Sequence, residues 1–134
     1  MALKPSYNDK LHLPGLSKTE ILILALEASQ KLEWNIEEVT PEGARFEVPF
    51  NMYSHGEEIT FTIEPGSDGE VAVRSQSSSV QFVDYGKNRK NIQKLRETME
   101  EIKTSLTPEE LAQKAKDFEE ECNRCLLYTS DAAD

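Results

Sequence analysis

Hydrophobic residues recur at two spacings along the chain, and the change of spacing separates helices from strands. Ser17 and Glu20 form a capping-box pattern before an apolar run, so we expect a first helix from about Lys18 to near Glu33. The run has the three- and four-residue spacing that is typical of one helical face: Ile21, Ala25, Ala28 and Leu32.

Between residues 34 and 77, apolar and polar residues alternate, which is typical of strands with one buried face. The turn segments TPEGA and PGSDG and the loop NMYSHGE divide this region into four predicted strands. The inward positions are Trp34, Ile36, Ala44, Phe46, Val48, Phe50, Ile59, Phe61, Ile63, Val71, Val73 and Ser75. Further along, Val80 and Phe82 either end the fourth strand or form a short edge strand.

Helical spacing then returns in two further segments. The first, a stripe that predicts a helix through about Thr104, consists of Ile92, Leu95, Met99, Ile102 and Leu106. Thr107 and Glu110 form a second capping-box pattern, with Pro108 at the first helical position, where proline is well tolerated. A last helix follows, with the apolar line Leu111, Ala115, Phe118 and Cys122.

This order predicts an α+β two-layer sandwich: a helix, a four-stranded antiparallel meander, a second helix and a C-terminal helix. We divide the chain into an extended N-terminal arm (1–16), an α-β4-α domain (17–106), an amphipathic helix (107–124) and a tail (125–134). The predicted core comprises Trp34, Phe46, Phe61, Val73, Ile92 and Leu95.

The chain is acidic, with 25 acidic and 15 basic residues among 134 and a formal net charge of −10. This charge disfavours a sequence-independent grip on nucleic acid phosphates. The N-terminus lacks the pattern of a secretory signal, and the aliphatic run at 21–26 is too short to span a bilayer, so we expect a cytoplasmic chain.

Candidate catalytic and metal-binding residues lack the context that their chemistry requires. Cys122 and Cys125 have C-x-x-C spacing, but neither the strand-to-helix setting of a redox pair nor two further zinc ligands accompany them. The serine run at 75–79 lacks G-x-S-x-G, and His55 lies in a predicted surface loop without a nucleophile. We therefore predict no metal site, no cofactor and no enzymatic activity.

A basic cluster at the start of the second predicted helix suggests an anion site. Cations there oppose the helix dipole, so a bound anion is one explanation for them. The residues of this hypothesis are Arg74, Ser75, Ser77, Lys87, Arg89 and Lys90, with an anionic head group or a peptide carboxylate as the ligand. The alternative is a solvated basic face balanced by Glu97, Glu100 and Glu101.

The same region carries residues with a simpler structural interpretation. Asp84 or Asn88 can cap the second helix, and Gly86 can adopt a positive φ angle. Trp34 is interpreted as a core anchor, or alternatively as the lining of a cleft between helix and sheet that holds an apolar ligand.

Several of these residues carry a resemblance to a family of small bacterial domains of unknown function. The pattern is a helix ending in Leu-x-Trp, a strand meander, an Arg/Lys-Ser-x-Ser strand end and a D-x-G-x-N-x-x-N-I helix start. It is matched here by Leu32, Trp34, Arg74, Ser75, Ser77, Asp84, Gly86, Asn88, Asn91 and Ile92. Some similar domains lie beside membrane segments, including those of rhomboid-like proteins, and no catalytic residues follow from the resemblance.

The tail CLLYTSDAAD resembles a translated sequencing adapter, because its back-translation fits a transposon end followed by adapter bases. On this interpretation Cys125 is foreign, the last helix ends at about Arg124 and the natural gene continues beyond it. We expect a non-enzymatic interaction or sensing domain, the cytoplasmic N-terminal part of a longer, membrane-attached protein with a protein partner or a missing C-terminal domain. The alternative is a small-molecule or lipid carrier that uses the helix–sheet cleft.

Overall fold

The computed structural model describes residues 5–49, 56–77 and 86–133, with side chains described up to residue 124. The predictions for Phe50, His55, Val80, Phe82 and Asp84 lie outside these residues. The elements are β1 (Ser6–His12), α1 (Lys18–Lys31), β2 (Asn35–Thr40), β3 (Gly43–Val48), β4 (Glu57–Ile63), β5 (Glu70–Ser77), α2 (Lys87–Ser105) and α3 (Pro108–Ala133).

The predicted α+β architecture is confirmed, with one more strand than the sequence predicted. The sheet is antiparallel and has the order β1-β5-β4-β3-β2, so the predicted meander is extended at β5 by a strand from the N-terminal segment. That segment, interpreted above as an arm, pairs from Ser6 opposite Gln76 to His12 opposite Glu70. Only Leu11 among its residues is buried, so β1 lacks the hydrophobic alternation that identifies a strand.

The helices cover one face of the sheet, and the core lies between the two layers. All six predicted core residues are buried there, and the largest fully buried side chains also include Ile21, Leu24, Ile59, Ile63 and Met99. The other face of the sheet is polar. Its middle row runs across the strands from Asn8 through Arg74, Thr60 and Arg45 to Glu38.

Both predicted capping boxes are present. In α1, the Glu20 amide donates to Ser17 Oγ over 3.1 Å while the Ser17 amide donates to the Glu20 carboxylate over 2.8 Å. The corresponding distances at the start of α3, between Thr107 and Glu110, are 3.1 and 3.0 Å. These reciprocal bonds satisfy amides that have no partner within the helix.

Two helix ends differ from the sequence prediction. α1 ends at Lys31, slightly before the predicted Glu33, which has a left-handed φ of 63°. The backbone of α3 continues to Ala133 rather than ending at about Arg124. Residues 125–133 contain no proline or glycine, so no residue of this stretch forces the helix to stop.

The edge strand β2 is exposed along its whole length, although the sequence predicted that Ile36 points inward. Ile36 and Val39 pair with Phe46 and Ala44 on the helix-facing side, yet they are 38% and 39% exposed. β2 is an edge strand of the sheet, and its register shifts between Ile36 and Glu38. Alternation therefore predicted the side to which Ile36 belongs but not its burial.

Candidate functional site

A buried set of polar side chains joins the end of the sheet to the first turns of α2. We call these residues the polar cluster: Glu57 of β4, Ser75 and Ser77 of β5, and Asn88 and Asn91 of α2. Ser75 and Ser77 occupy alternate, buried positions of β5, which directs both hydroxyls toward the helical layer. Asn88 and Asn91 are three residues apart, so both lie on the face of α2 that also buries Ile92.

Asn88 is fully buried, and its amide group contacts residues of β5 and the residue before β1. Its Oδ1 accepts from the Ser75 hydroxyl over 2.7 Å. Its Nδ2 donates to the Pro5 carbonyl over 3.0 Å and to Ser77 Oγ over 3.3 Å. This one side chain therefore holds α2 to β5 and to the residue that precedes β1.

Asn91 extends the same network to the start of β4. Its Nδ2 donates to Glu57 Oε1 over 2.8 Å and to Ser75 Oγ over 3.2 Å. The Ser75 hydroxyl consequently accepts from Asn91 while it donates to Asn88. A buried network stabilises a fold when its members are satisfied, and no buried side-chain nitrogen or oxygen among the described residues lacks a hydrogen-bond partner.

The structure divides the predicted anion-site residues between separate locations. Ser75 and Ser77 belong to the polar cluster and are 0% and 2% exposed. Arg74 lies between two buried positions of β5, so its side chain is on the open polar face, opposite the helices. Arg74 and the two serine hydroxyls therefore cannot contact one ligand together.

Lys87, Arg89 and Lys90, which we call the basic cluster, lie in the first turn of α2. Arg89 and Lys90 are exposed, Lys87 is half-buried, and this turn contains no acidic residue. Binding of an anionic head group by the basic cluster stays a prediction.

Gly86 precedes α2 and has a φ of 76°, a left-handed conformation that residues with a side chain rarely adopt. This agrees with the positive φ that the sequence predicted. Asn88 does not cap the helix, because its amide group is bound within the polar cluster.

Trp34 is buried in the core, as the sequence predicted for an anchor. Its ring lies 6.3 Å from that of Phe46, centroid to centroid, at an interplanar angle of 47°. The Trp34 amide donates to the Ser29 carbonyl over 2.8 Å, which ties the start of β2 to the end of α1.

A groove of about 560 Å³ lies elsewhere, between the start of α1, the end of β2 and α3. Its apolar lining comes from all three elements: Leu22, Val39, Pro41, Phe118 and Cys122. Lys18, Thr19, Thr40, Glu119, Glu121 and Asn123 complete the lining. Thr19 Oγ1 donates to Glu119 Oε1 over 2.6 Å and so connects α1 to α3 beside the groove.

Two features of the structure were not predicted from the sequence, namely the burial of Glu57 and the groove. Glu57 begins a strand next to a second glutamate and carries no local sign that it is buried. The sequence does contain the apolar residues that line the groove, namely Phe118 and Cys122 in the apolar line of α3 and Val39 in β2. Their proximity depends on how α3 packs against α1.

Two carboxylates outside these regions have lowered pKa values. A hydrogen bond from the Arg96 guanidinium, 2.7 Å away, lowers the pKa of Asp9, and the backbone amide of Lys10 contributes next. Hydrogen bonds from Thr107, first from its backbone amide, lower the pKa of Glu110. Both shifts favour the ionised form of a surface carboxylate that already has a structural partner.

Two other kinds of site are absent from the described residues. No three His, Cys, Asp or Glu side chains in residues 5–49, 56–77 and 86–124 are arranged to hold a metal ion. None of the helices in the described part of the chain has the length and apolar character needed to cross a membrane.

Comparison with known proteins places the sheet, α1 and most of α2 in one family. No curated protein matches the chain. The family described as a protein of unknown function (DUF1499) matches residues 6–99, from the first residue of β1 to Met99 of α2. The match covers more than half of the sequence and leaves α3 outside. The chain therefore belongs to the DUF1499 family.

Proposed function

We propose that the chain is a non-enzymatic interaction domain that binds an apolar segment of a partner protein in the groove between α1, β2 and α3. The supporting observation is the exposure of Ile36 and Val39 on β2. They are the exposed large hydrophobic residues of the described chain, and Val39 lines the groove. Exposed apolar surface beside a concave site is a common feature of interaction surfaces.

The chemistry of the groove agrees with this proposal. Val39 and Phe118 supply apolar surface that is still partly exposed, and burying such surface is the main favourable contribution to protein association. Lys18, Glu119 and Glu121 are also part of the lining. Apolar contact with charged groups nearby is typical of protein interfaces, in which a hydrophobic centre has a polar rim.

A second candidate function is a carrier of a small molecule or lipid. It is supported by the volume of the groove, about 560 Å³, which lies within the range of roughly 300–1,000 Å³ that is usual for ligand pockets. Trp34 does not line this groove, so the carrier now proposed uses a different site from the cleft that Trp34 suggested.

An array of short peptides of graded apolar content and charge tests the first proposal. We expect the native chain to bind a subset rich in apolar residues. Replacing both exposed residues, Ile36→Thr and Val39→Thr, is expected to weaken that binding at least about tenfold, because the two threonines remove apolar contact area but keep β-branched shapes.

The control is Thr60→Ser together with Thr62→Ser on the open face of the sheet, which leaves the groove intact. Failure of every peptide to bind, or equal binding by the Ile36→Thr/Val39→Thr variant, would contradict the proposal. Sodium dodecanoate provides the test of the carrier. Chemical-shift changes at Leu22 and Val39 with dodecanoate, but with no peptide, would favour the carrier.

A further inference from the structure

The outer edge of β2 is open to a further strand. β2 ends the sheet order, the structure describes no strand beyond it, and all six of its residues are exposed. An edge strand carries backbone N–H and C=O groups that a strand from another chain can pair with. The other edge strand, β1, differs because its Leu11 is buried and its Tyr7 packs against the core.

The apolar residues of β2 lie on the helix-facing side of the sheet, where the groove also lies. Ile36 and Val39 share the helix-facing side of the sheet with Phe46 and Ala44. Alternate side chains of a strand paired with β2 would lie on this same side, next to Ile36 and Val39. One extended segment with apolar residues at every second position could therefore pair with β2 and also place its apolar side chains in the groove.

The charge around β2 indicates what the remaining positions of that segment carry. Residues 33–42 contain four glutamates and no lysine, arginine or histidine. Glu38 pairs with Arg45 across the open face at 3.8 Å. In the described part of the chain, Glu33, Glu37 and Glu42 have no ion pair, so the edge has an uncompensated negative charge that favours a basic partner.

We infer that the partner is an extended basic segment that adds to the sheet as a sixth strand beside β2, with apolar residues toward the groove and lysine or arginine residues at the alternate positions. This inference rests on the proposed function and specifies the conformation and charge of the segment. Opposite charges on neighbouring strands contribute favourably to pairing, and Glu38 is positioned for such a pair on the open face.

The test measures the affinity of a fluorescent peptide in which valine alternates with lysine, by anisotropy, against the full chain. We expect this peptide to bind at least about tenfold more tightly than one in which glutamate replaces lysine, because the second peptide adds like charge to the edge. Two further peptides carry N-methyl groups, one on its valines and one on its lysines.

Amides of alternate residues point to the same edge of a strand, so each N-methylated peptide has one edge blocked. A peptide that pairs with β2 in a single orientation uses only one of its two edges. We therefore expect one of the two N-methylated peptides to bind at least about tenfold more weakly than the unmethylated peptide, because a row of hydrogen bonds is removed. Undiminished binding of both N-methylated peptides would overturn strand addition but would leave binding in the groove, and therefore the proposed function, standing.

Protein variants test the charge component separately. The double substitution Glu37→Gln with Glu42→Gln is expected to lower the affinity for the valine–lysine peptide by about three- to fivefold at low salt. This modest effect is in keeping with screened surface charges. The matched control, Glu97→Gln with Glu100→Gln, removes two exposed charges from α2, which packs over β5 and β1. An equal effect of both pairs, or no binding of the valine–lysine peptide to the native chain, would overturn the inference of a basic partner.

Discussion

The polar cluster beneath α2 consists of polar side chains that are buried, whereas the groove beside β2 includes apolar side chains that are exposed. In the polar cluster, Asn88 and Ser75 are fully buried, and every described hydrogen-bonding group there has a partner. In the groove, Val39 is apolar and 39% exposed. Buried polar groups with complete hydrogen bonding stabilise a fold, whereas exposed apolar surface gains free energy when a ligand covers it. We therefore expect the first region to contribute stability, and we propose that the second region binds a partner.

The largest expected effect is that of Asn88→Ala. The substitution removes the acceptor of the Ser75 hydroxyl and one donor each to Ser77 Oγ and to the Pro5 carbonyl, which also accepts from the Ser77 amide. We expect the free energy of unfolding to fall by about 2–4 kcal/mol, because three hydrogen bonds of a buried side chain are lost, the Ser75 hydroxyl loses its acceptor and the shorter side chain leaves a cavity. Urea denaturation at neutral pH measures this change. A loss comparable to that of a surface substitution would contradict a structural role for the polar cluster.

A smaller loss is expected for Ser75→Ala, about 1–2 kcal/mol, because one hydroxyl is removed and Asn88 and Asn91 each lose one of several hydrogen bonds. Arg74→Ala, the neighbouring exposed position, is the matched control and is expected to change stability by less than about 0.5 kcal/mol. Similar losses for both variants would show that burial does not distinguish the two sides of β5.

The ion pair between Asp9 and Arg96 is partly exposed, and we expect it to contribute less than the buried hydrogen bonds. Because the pKa of Asp9 is lowered in the folded chain, its stabilising contribution is present above the ordinary value of 3.8 and is lost as the pH falls through the folded value. We expect Asp9→Asn to cost at most about 0.5 kcal/mol at pH 7, since solvent screens the pair.

Urea denaturation of the native chain and of the Asp9→Asn variant, measured from pH 7 downward, tests the direction of the Asp9 pKa shift. The native chain should lose more stability than the variant as the pH falls below 3.8. A larger loss in the variant would contradict the direction of the pKa shift.

The smallest effect on stability is expected at the two exposed hydrophobic residues of β2, of which Val39 lines the groove. Ile36→Thr with Val39→Thr should change the free energy of unfolding by about 0.5 kcal/mol or less, because both side chains are more than one-third exposed and threonine keeps a β-branched shape. Urea denaturation again provides the measurement. A loss above 2 kcal/mol, on the order of that for Asn88→Ala, would mean that these residues belong to the core.

The basic cluster provides a further test outside both regions. Binding to anionic liposomes should fall when Lys87, Arg89 and Lys90 are all replaced by glutamate, if the predicted anionic head group is a ligand. Lys114→Glu with Lys116→Glu on α3 is the control for loss of positive charge. Absence of binding by the native chain would contradict this prediction.

Local patterns predicted much of the fold. The two capping boxes, the alternation in β3, β4 and β5 and the apolar stripe of α2 each depend on residues close together in sequence. β1 was missed because SYNDKLH has one buried hydrophobic residue, and its pairing joins Ser6 to Gln76. Strand pairing over such a separation depends on the tertiary structure rather than on a local preference.

The sites were predictable only in part for the same reason. Ser75, Asn88 and Asn91 were selected from a motif, but their mutual contacts depend on how α2 lies against β5. Arg74 was grouped with Ser75, although alternation along a strand places neighbouring side chains on opposite faces. The groove combines Val39 with residues of α1 and α3, and no spacing within the sequence indicates that packing.

The most direct test of the comparison is the affinity of the valine–lysine peptide for two variants that are each expected to remain folded. Ser75→Ala should bind within about twofold of the native chain, because no residue of the polar cluster lines the groove. Ile36→Thr with Val39→Thr should bind at least about tenfold more weakly, because the apolar contact is lost. Loss of binding in Ser75→Ala with retention in the double variant would contradict the assignment of stability to the polar cluster and binding to the groove.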